Sequence, residues 1–147
     1  MKSTALFSAI FLLLLGLSGC PQNLSAPNGP DAAPPTLVLN DTSDVAFGGT
    51  IHNQEEDLWL TFDSLGSDSR CPVDVLCVWA GNAELFFELS QHGQTARFEL
   101  NTFADYSTSQ TVFNYEITLV AVRPFPHGDS LYTAADYTAS VTIRKTE

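Results

Sequence analysis

Apolar and polar residues alternate with a period of two through much of the chain beyond residue 36. This period places successive side chains on opposite faces of a β-strand, whereas an amphipathic helix requires a period of 3.6. Residues typical of turns separate the alternating runs, and no run has the helical period. The runs are DLWLTFDS (57–64), AELFFELS (83–90), TARFELN (95–101), YEITLVAV (115–122) and YTASVTIR (137–144). Each run predicts one short strand with a buried and an exposed face.

The apolar positions of these runs predict a core between two sheets. They are Leu58, Leu60, Phe62, Ala83, Leu85, Phe87, Leu89, Ala96, Phe98, Leu100, Tyr115, Ile117, Leu119, Ala121, Tyr137, Ala139, Val141 and Ile143. Several short strands with one apolar face are typical of an antiparallel sandwich. We expect an all-β, immunoglobulin-like β-sandwich of seven or eight strands, with an open β-barrel as the alternative. Pro124 and Pro126 should end a strand, because proline cannot donate to a sheet hydrogen bond.

The segment QHGQ (91–94) predicts a β-hairpin, because His92 and Gly93 can form a tight two-residue turn. A two-residue loop and a four-residue loop give the same register. That register pairs Phe87 with Phe98, Leu85 with Leu100 and Leu89 with Ala96 on the core face. On the other face it pairs Glu88 with Arg97, an opposite-charge pair worth about 0.2–1 kcal/mol.

The first twenty residues have the organisation of a bacterial export signal. Lys2 precedes an almost uncharged apolar run (5–17) that is too short and wrongly flanked for a membrane-spanning helix. The run closes in LSGC (17–20), which resembles the lipobox of bacterial lipoproteins. The resemblance implies cleavage after Gly19, transfer of diacylglycerol to the sulfur of Cys20, and acylation of the new N-terminus. An ordinary secreted protein that keeps a free cysteine is the alternative.

The chain is expected to comprise three segments: a signal peptide (1–19), a lipidated tether that begins at Cys20 (20–35) and a β-sandwich domain (36–147). The tether holds five prolines and too little apolar surface to offset the entropy of ordering. The last segment is long enough for one domain with one core. No Asp follows Cys20, so the lipoprotein resemblance favours the outer membrane as the location of the anchor.

The chain is acidic, with 17 Asp plus Glu against 6 Lys plus Arg and a formal net charge of −11. This charge argues against nucleic acid and against electrostatic adhesion to anionic lipid. A cationic partner or Ca²⁺ is compatible with it, and so is plain solubility on a crowded cell surface. The expected partners are the membrane, through the lipid, and an unidentified protein or small ligand.

Beyond Cys20 the chain has two cysteines, Cys71 and Cys77, and in an oxidising compartment they predict one disulfide. A metal site would need further ligands, and the three histidines are scattered without metal-ligand spacing. The chain also has no G-x-S-x-G, P-loop, H-E-x-x-H or S-x-x-K motif. We therefore expect neither an enzyme nor a cofactor.

The stretch DSRCPVDVLCVWAGNAEL (68–85) is similar to the pattern S-R-C-P-x-x-V-x-C-x-W-A-G-x-A of a family of small, largely uncharacterised bacterial lipoproteins and secreted proteins. The match runs without a gap from Ser69 to Ala83. The later YEITLVAVRPFP (115–126) resembles the family's Y-x-I-x-L-x-x-V-x-P-x-P stretch, and a Tyr-bearing last strand follows, here with Tyr137. The family has no established activity that the resemblance could carry over to this chain.

The residue types of the cysteine stretch also predict a loop with a mainly structural role. A disulfide with five intervening residues is worth roughly 2 kcal/mol, and Pro72 stiffens the loop that it closes. Arg70 is expected to pair with Asp68 or Asp74. Trp79 is expected to fill the space beneath the loop. The rim formed by Asp68, Arg70, Asp74 and Trp79 is the candidate binding site.

The function expected from the sequence is that of a lipid-anchored, non-catalytic structural or binding module. Two alternatives use the cysteine loop. Arg70 on a constrained, exposed loop could enter a trypsin-like site and inhibit an envelope or external protease. Asp63, Asp68 and Asp74 could bind Ca²⁺, although the D-x-D-x-D-G spacing is missing.

Overall fold

The structure is a computed structural model that describes residues 34–147. These residues form eight β-strands in two four-stranded sheets, with one 3₁₀ turn at Ala134–Asp136. The strands are β1 (Thr42–Ala46), β2 (Thr50–Asn53), β3 (Leu58–Asp68), β4 (Ala83–Gln91), β5 (Gln94–Asn101), β6 (Ser109–Val112), β7 (Tyr115–Arg123) and β8 (Thr138–Lys145). Within this part of the chain, no helix has the length and hydropathy of a membrane-spanning segment. The expected signal peptide, Cys20 and most of the tether lie outside the described residues.

The chain builds the two sheets largely as two meanders. Sheet I consists of β2, β3, β4 and β5 side by side in sequence order. Sheet II has the order β1-β8-β7-β6, so that β8 returns beside β1. This order is simpler than the ABED and CFG sheets of immunoglobulin constant domains. The predicted antiparallel β-sandwich of seven or eight strands is confirmed, and the sheets do not close into the alternative barrel.

The core between the sheets is formed by the inward side chains that the alternation predicts, with an aromatic row at its centre. Phe62, Phe87 and Phe98 are cross-strand partners, with ring centroids 5.2 and 5.7 Å apart. Phe47, which follows β1, meets Phe62 edge-on at 5.5 Å. Ring pairs of this kind add about 0.5–1.5 kcal/mol to the free energy of burial. The row therefore ties the β1–β2 connection to sheet I.

The β4–β5 hairpin has the predicted register. Phe87 lies opposite Phe98, and the other predicted core pairs are also present. Nε of Arg97 donates to Oε2 of Glu88 at 3.0 Å on the exposed face. The turn residues His92 and Gly93 have φ values of 47° and 78°, as a tight type I′ turn requires. The hairpin prediction is confirmed.

One predicted core position is wrong because of a β-bulge in β7. The pairing of β7 with β8 shifts between Leu119 and Ala121. Val120 is exposed there, and Val122 rather than Ala121 becomes fully buried. A bulge adds one residue to a strand, so the residues beyond it point to the opposite face from the one that alternation predicts. β3 contains two further register shifts of this kind.

Three long connections leave the sheets at one end of the sandwich, which we call the loop end. They are the β3–β4 loop (69–82), the β5–β6 loop (102–108) and the β7–β8 connection (124–137). The amide of Val73 in the first loop donates to the carbonyl oxygen of Pro126 at 2.9 Å. The amide of Thr102 donates to Oδ1 of Asn82 at 3.0 Å. The β3–β4 loop, which carries both cysteines, therefore contacts the other two connections.

Candidate functional site

A buried ion pair fixes the base of the β3–β4 loop. Nε of Arg70 donates to Oδ1 of Asp68 at 2.9 Å, and its Nη2 donates to Oδ2 at 2.7 Å. The guanidinium also donates to the carbonyl oxygens of Val122 at 2.6 Å and Pro124 at 2.8 Å. The Arg70 and Asp68 side chains are only 11% and 9% exposed. The pair therefore links the end of β3 in sheet I to the end of β7 in sheet II.

The same cluster controls the ionisation of two of its members. Burial disfavours the charged form of Asp68, but hydrogen bonds from Arg70 and its positive charge, with a bond from Tyr137, outweigh burial and lower the pKa of this carboxyl. The hydroxyl of Tyr137 donates to Oδ2 of Asp68 at 2.9 Å. Burial and this bond raise the pKa of Tyr137. At neutral pH the cluster is therefore a charged pair with a protonated tyrosine, which suits a structural element.

The disulfide predicted between Cys71 and Cys77 is present, with the two Cα atoms 6.0 Å apart. The amide of Cys71 donates to the carbonyl oxygen of Ala80 at 2.8 Å, which pairs the two sides of the β3–β4 loop. On the side of sheet II, the amide of Gly128 donates to Oδ1 of Asp74 at 2.9 Å. The loop is therefore closed covalently and held by hydrogen bonds at several points.

Trp79 does not lie beneath this loop, and that expectation is wrong. The residue is 54% exposed, and its ring meets that of Phe103 edge-on with centroids 6.0 Å apart. Phe103 in turn contacts Tyr106 at 6.0 Å between ring centroids. The loop is held to the sheets by Arg70 and by backbone hydrogen bonds instead. Trp79 is therefore left at the surface, where its ring is available for contacts with a ligand.

An open groove of about 360 Å³ lies at the loop end of the outer face of sheet I, and we call it the aromatic groove. Exposed rings from two different loops and two carboxylates from neighbouring strands line it. The lining residues are Ser67, Ser69, Trp79, Asn82, Glu84, Glu99, Asn101 and Tyr106. Ligand pockets commonly measure about 300–1,000 Å³ and combine aromatic walls with a few convergent polar groups. The aromatic groove has a volume in this range and two aromatic walls, but its lining is mainly polar, so it suits a ligand that carries many polar groups.

Asn82 fixes the two sides of the aromatic groove relative to each other. Its Oδ1 accepts hydrogen bonds from the amides of Thr102 and Phe103, both at 3.0 Å. Its Nδ2 donates to Oδ1 of Asn101 at 2.7 Å. The hydroxyl of Ser69 donates to the carbonyl oxygen of Asn82 at 3.1 Å. The loop that carries Trp79 is thereby bonded to the start of the loop that carries Tyr106.

The structure does not join the four residues of the predicted rim into one site. Asp68 and Arg70 form the buried pair, which is not available to a ligand. Asp74 contacts the β7–β8 connection on the side of sheet II. Trp79 alone lines the aromatic groove. The predicted rim therefore divides into a structural pair, a loop contact and one wall of the candidate site.

The two alternative functions do not fit this geometry. A trypsin-like protease would need the Arg70 side chain to extend into its specificity pocket, but this side chain makes four hydrogen bonds inside the protein. The Ca²⁺ alternative needs Asp63, Asp68 and Asp74 to converge, and they do not. Within residues 34–147, no group of three or more His, Cys, Asp or Glu side chains is arranged to hold a metal ion.

Asn82, Asn101 and Tyr106 line the groove but are not among the site residues that the sequence predicts. A signal was present for the strand residues, because Glu84 and Glu99 have outward parity and the predicted hairpin register sets Glu84 opposite Asn101. No local pattern indicated that the β5–β6 loop would place Tyr106 beside the cysteine stretch. That proximity depends on the contacts of Asn82.

A second hollow of about 310 Å³ lies beside the β3–β4 loop, between it and β7. Val73, Val120, Phe125 and Pro126 contribute to its mostly apolar lining. Its one charged side chain, Arg70, already donates to protein acceptors. The hollow therefore offers few free polar groups that could orient a polar ligand, whereas the aromatic groove offers several.

Comparison with protein-family models, with curated proteins and with solved structures finds no match to this chain. The family resemblance of residues 68–85 stays a prediction. The geometry of the aromatic groove is therefore the main observation that bears on function.

Proposed function

We propose that the protein is a lipid-anchored, non-catalytic binding module of the bacterial envelope that holds its ligand in the aromatic groove. The observation that carries the proposal is the pair of half-exposed rings, Trp79 and Tyr106, at the sides of a groove with polar groups between them. Single exposed rings are common on protein surfaces, but these two line one groove together with polar groups, and that combination suits a ligand.

The framework of the groove supports binding of a ligand to a preformed site. The disulfide, the Arg70–Asp68 pair and the side chain of Asn82 hold the loop of Trp79 in place without any ligand. A preformed site avoids the entropy cost of ordering loops on association. A ligand therefore meets walls that are already in position.

In the part of the chain that the structure describes, the groove does not contain the parts of a serine or cysteine nucleophilic site, and we assign it to binding. Its polar groups are carboxylates, amides and hydroxyls, and its lining includes no histidine, lysine or cysteine. Ser69, a hydroxyl that could act as a nucleophile, instead donates to the carbonyl oxygen of Asn82, whereas a nucleophilic serine requires a base within hydrogen-bond reach. The lipobox resemblance and the proline-rich segment support the placement of this module on an envelope membrane.

The fluorescence of Trp79 provides a direct test. The chain has two tryptophans, and Trp59→Phe leaves Trp79 as the only one while an aromatic ring remains to stack on His52. We expect at least one fraction of a bacterial envelope, among wall glycan digests, lipopolysaccharide and outer-membrane proteins, to shift the emission of this variant. Tyr106→Ala should weaken that response.

Tyr132→Ala is the matched control, because Tyr132 is an exposed tyrosine of the β7–β8 connection outside the groove. It should leave the response unchanged. An emission spectrum that no envelope fraction shifts, or a response that Tyr106→Ala and Tyr132→Ala alter equally, would contradict the proposed function.

A further inference from the structure

We infer that the ligand of the aromatic groove is an uncharged saccharide, an inference that rests on the proposed function and names its ligand class. Three features of the groove point to this class together: an unpaired amide donor, two unpaired carboxylates and two accessible rings. A sugar presents hydroxyl groups that both donate and accept hydrogen bonds, and ring faces of C–H groups that stack on aromatic side chains.

The amide donor belongs to Asn101, which is only 4% exposed. The orientation of this amide follows from its neighbour. Oδ1 of Asn82 accepts from two backbone amides, so Nδ2 of Asn82 must be the atom that faces Asn101, and Asn101 must present Oδ1 to it. Nδ2 of Asn101 is then the atom left over, and within residues 34–147 it donates to no protein acceptor.

Among the described residues, the fully buried side-chain polar atom without a partner is Nε2 of His52, so Nδ2 of Asn101 still reaches the water in the groove and can exchange that water for an acceptor on a ligand. Asn101 lines the aromatic groove, so a ligand there can supply the missing acceptor. The donor also discriminates between ligand classes. The donor requires an acceptor group in the ligand, so an ammonium group alone, which could pair with the carboxylates, does not satisfy the groove.

The carboxylates belong to Glu84 on β4 and Glu99 on β5. In the described part of the chain neither takes part in a salt bridge, since the nearby Arg97 is paired with Glu88. They can accept hydrogen bonds from sugar hydroxyls. They also repel anions, as does the net charge of −11. Uronates and other acidic sugars are therefore excluded, and neutral sugars are favoured.

The rings of Trp79 and Tyr106 complete the site. Each ring offers a flat apolar face with a polar edge, which suits a ligand whose faces are apolar and whose rim is polar. Ser67 and Ser69 add hydroxyl groups to the lining. The groove thus combines stacking surfaces with donors and acceptors.

The test uses the full chain with Trp59→Phe and measures the emission of Trp79 against defined oligosaccharides. Oligomers of N-acetylglucosamine represent the glycan of the bacterium's own wall, and oligomers of glucose represent external polysaccharide. Oligogalacturonate is the anionic counterpart. We expect at least one neutral series to bind, and oligogalacturonate to bind at least about tenfold more weakly, or 1.4 kcal/mol.

Two sets of variants test the recognition chemistry. Asn101→Asp keeps an acceptor for Asn82 but removes the free donor, and it should weaken the binding of the neutral oligosaccharide by about tenfold, as expected for one hydrogen bond. Since this variant buries a charge, its melting curve must be measured as well. The second set is the double variant Glu84→Gln with Glu99→Gln. Both positions are on the outer face of sheet I, so we expect the variant to fold. It should reduce the discrimination against oligogalacturonate.

The outcomes separate the two proposals. If an envelope fraction shifts the Trp79 emission but no neutral oligosaccharide does, the saccharide inference is wrong and the proposed function stands. If nothing binds, both are wrong. Equal binding of the neutral and anionic oligosaccharides, or unchanged sugar binding by a folded Asn101→Asp variant, would also overturn the inference.

Discussion

Arg70 has a structural role, although it lies in a stretch whose residue types are common in functional sites. Its four side-chain hydrogen bonds reach Asp68, Val122 and Pro124, which come from the ends of strands in both sheets. Arginine suits this position because its planar guanidinium can bind a carboxylate with two nitrogens and still donate to backbone carbonyls. One side chain therefore closes the loop end of the sandwich.

We predict that Arg70→Met lowers the free energy of unfolding by about 3–5 kcal/mol, because it leaves the Asp68 carboxylate buried without a counter-charge. Urea unfolding followed by circular dichroism measures the change. Arg123→Met is the matched control, since Arg123 is 59% exposed and lies 3.8 Å from Asp44, and it should cost less than about 1 kcal/mol. Similar losses for the two variants would contradict the structural role of Arg70.

The lowered pKa of Asp68 predicts how stability depends on pH. The folded state keeps this carboxylate ionised at pH values where the unfolded state, with an Asp pKa of about 3.9, takes up a proton. The stabilisation is therefore present above pH 4 and is lost as the pH falls through the lower, folded value. Wild type should be more stable than Asp68→Asn at pH 7, and the difference in unfolding free energy should shrink below about pH 4. A difference that stays constant down to pH 2 would contradict this.

Among the structural elements, the β4–β5 hairpin could be predicted in register, whereas the β3–β4 loop could not be placed. The hairpin is specified locally by side-chain parity, a two-residue turn and one charge pair, and these agree. The loop depends on contacts such as those of Arg70 with Val122 and Asp74 with Gly128, which are more than fifty residues apart in sequence. No local pattern encodes contacts over such separations.

In the candidate site, too, the strand residues could be predicted from the sequence and the loop residues could not. Glu84 and Glu99 could be assigned to neighbouring positions of one exposed face from the predicted register. The two aromatic walls could not, because Trp79 and Tyr106 belong to loops that only tertiary contacts bring together. The sequence predicts Trp79 in the interior because a large apolar ring is usually buried. Its neighbours leave it at the surface instead.

Two glycines with the same backbone conformation test the close packing of the β3–β4 loop. Gly81 and Gly93 have φ values of 73° and 78°, which cost an alanine roughly 1–2 kcal/mol. A Cβ at Gly93 would meet no atom within 4 Å, whereas a Cβ at Gly81 would overlap the carbonyl oxygen of Ser69. Gly93→Ala should therefore lower the free energy of unfolding only by the cost of the backbone conformation.

Gly81→Ala should pay the same backbone cost and also disrupt the pairing of the loop with the end of β3. We therefore expect it to lower the free energy of unfolding at least about twice as much as Gly93→Ala does. Denaturation midpoints of the two variants provide the measurement, with Gly93→Ala serving as the control for backbone strain. Equal losses would show that the approach of Gly81 to Ser69 is not tight.

At the scale of the whole molecule, the net negative charge and the carboxylates of the groove both disfavour anionic partners. An acidic surface keeps the module away from anionic lipid headgroups and acidic polysaccharides, and two of its unpaired carboxylates lie in the groove itself. A protein of this kind needs a covalent anchor if it is to stay at a membrane. The expected acylation of Cys20 would supply it.

Acylation of Cys20 can be tested in cells that express the full chain. Two or three acyl chains anchor a protein stably, at about 0.8 kcal/mol per buried methylene, where one chain is marginal. Wild type should incorporate a labelled fatty acid and sediment with membranes, and Cys20→Ser should do neither. The double variant Cys71→Ser with Cys77→Ser is the control: it lacks the disulfide, is expected to lose about 2 kcal/mol of stability, and should still carry the label. Label that persists in Cys20→Ser would rule out acylation at Cys20, and a wild type without label would favour the alternative, a secreted protein with a free cysteine.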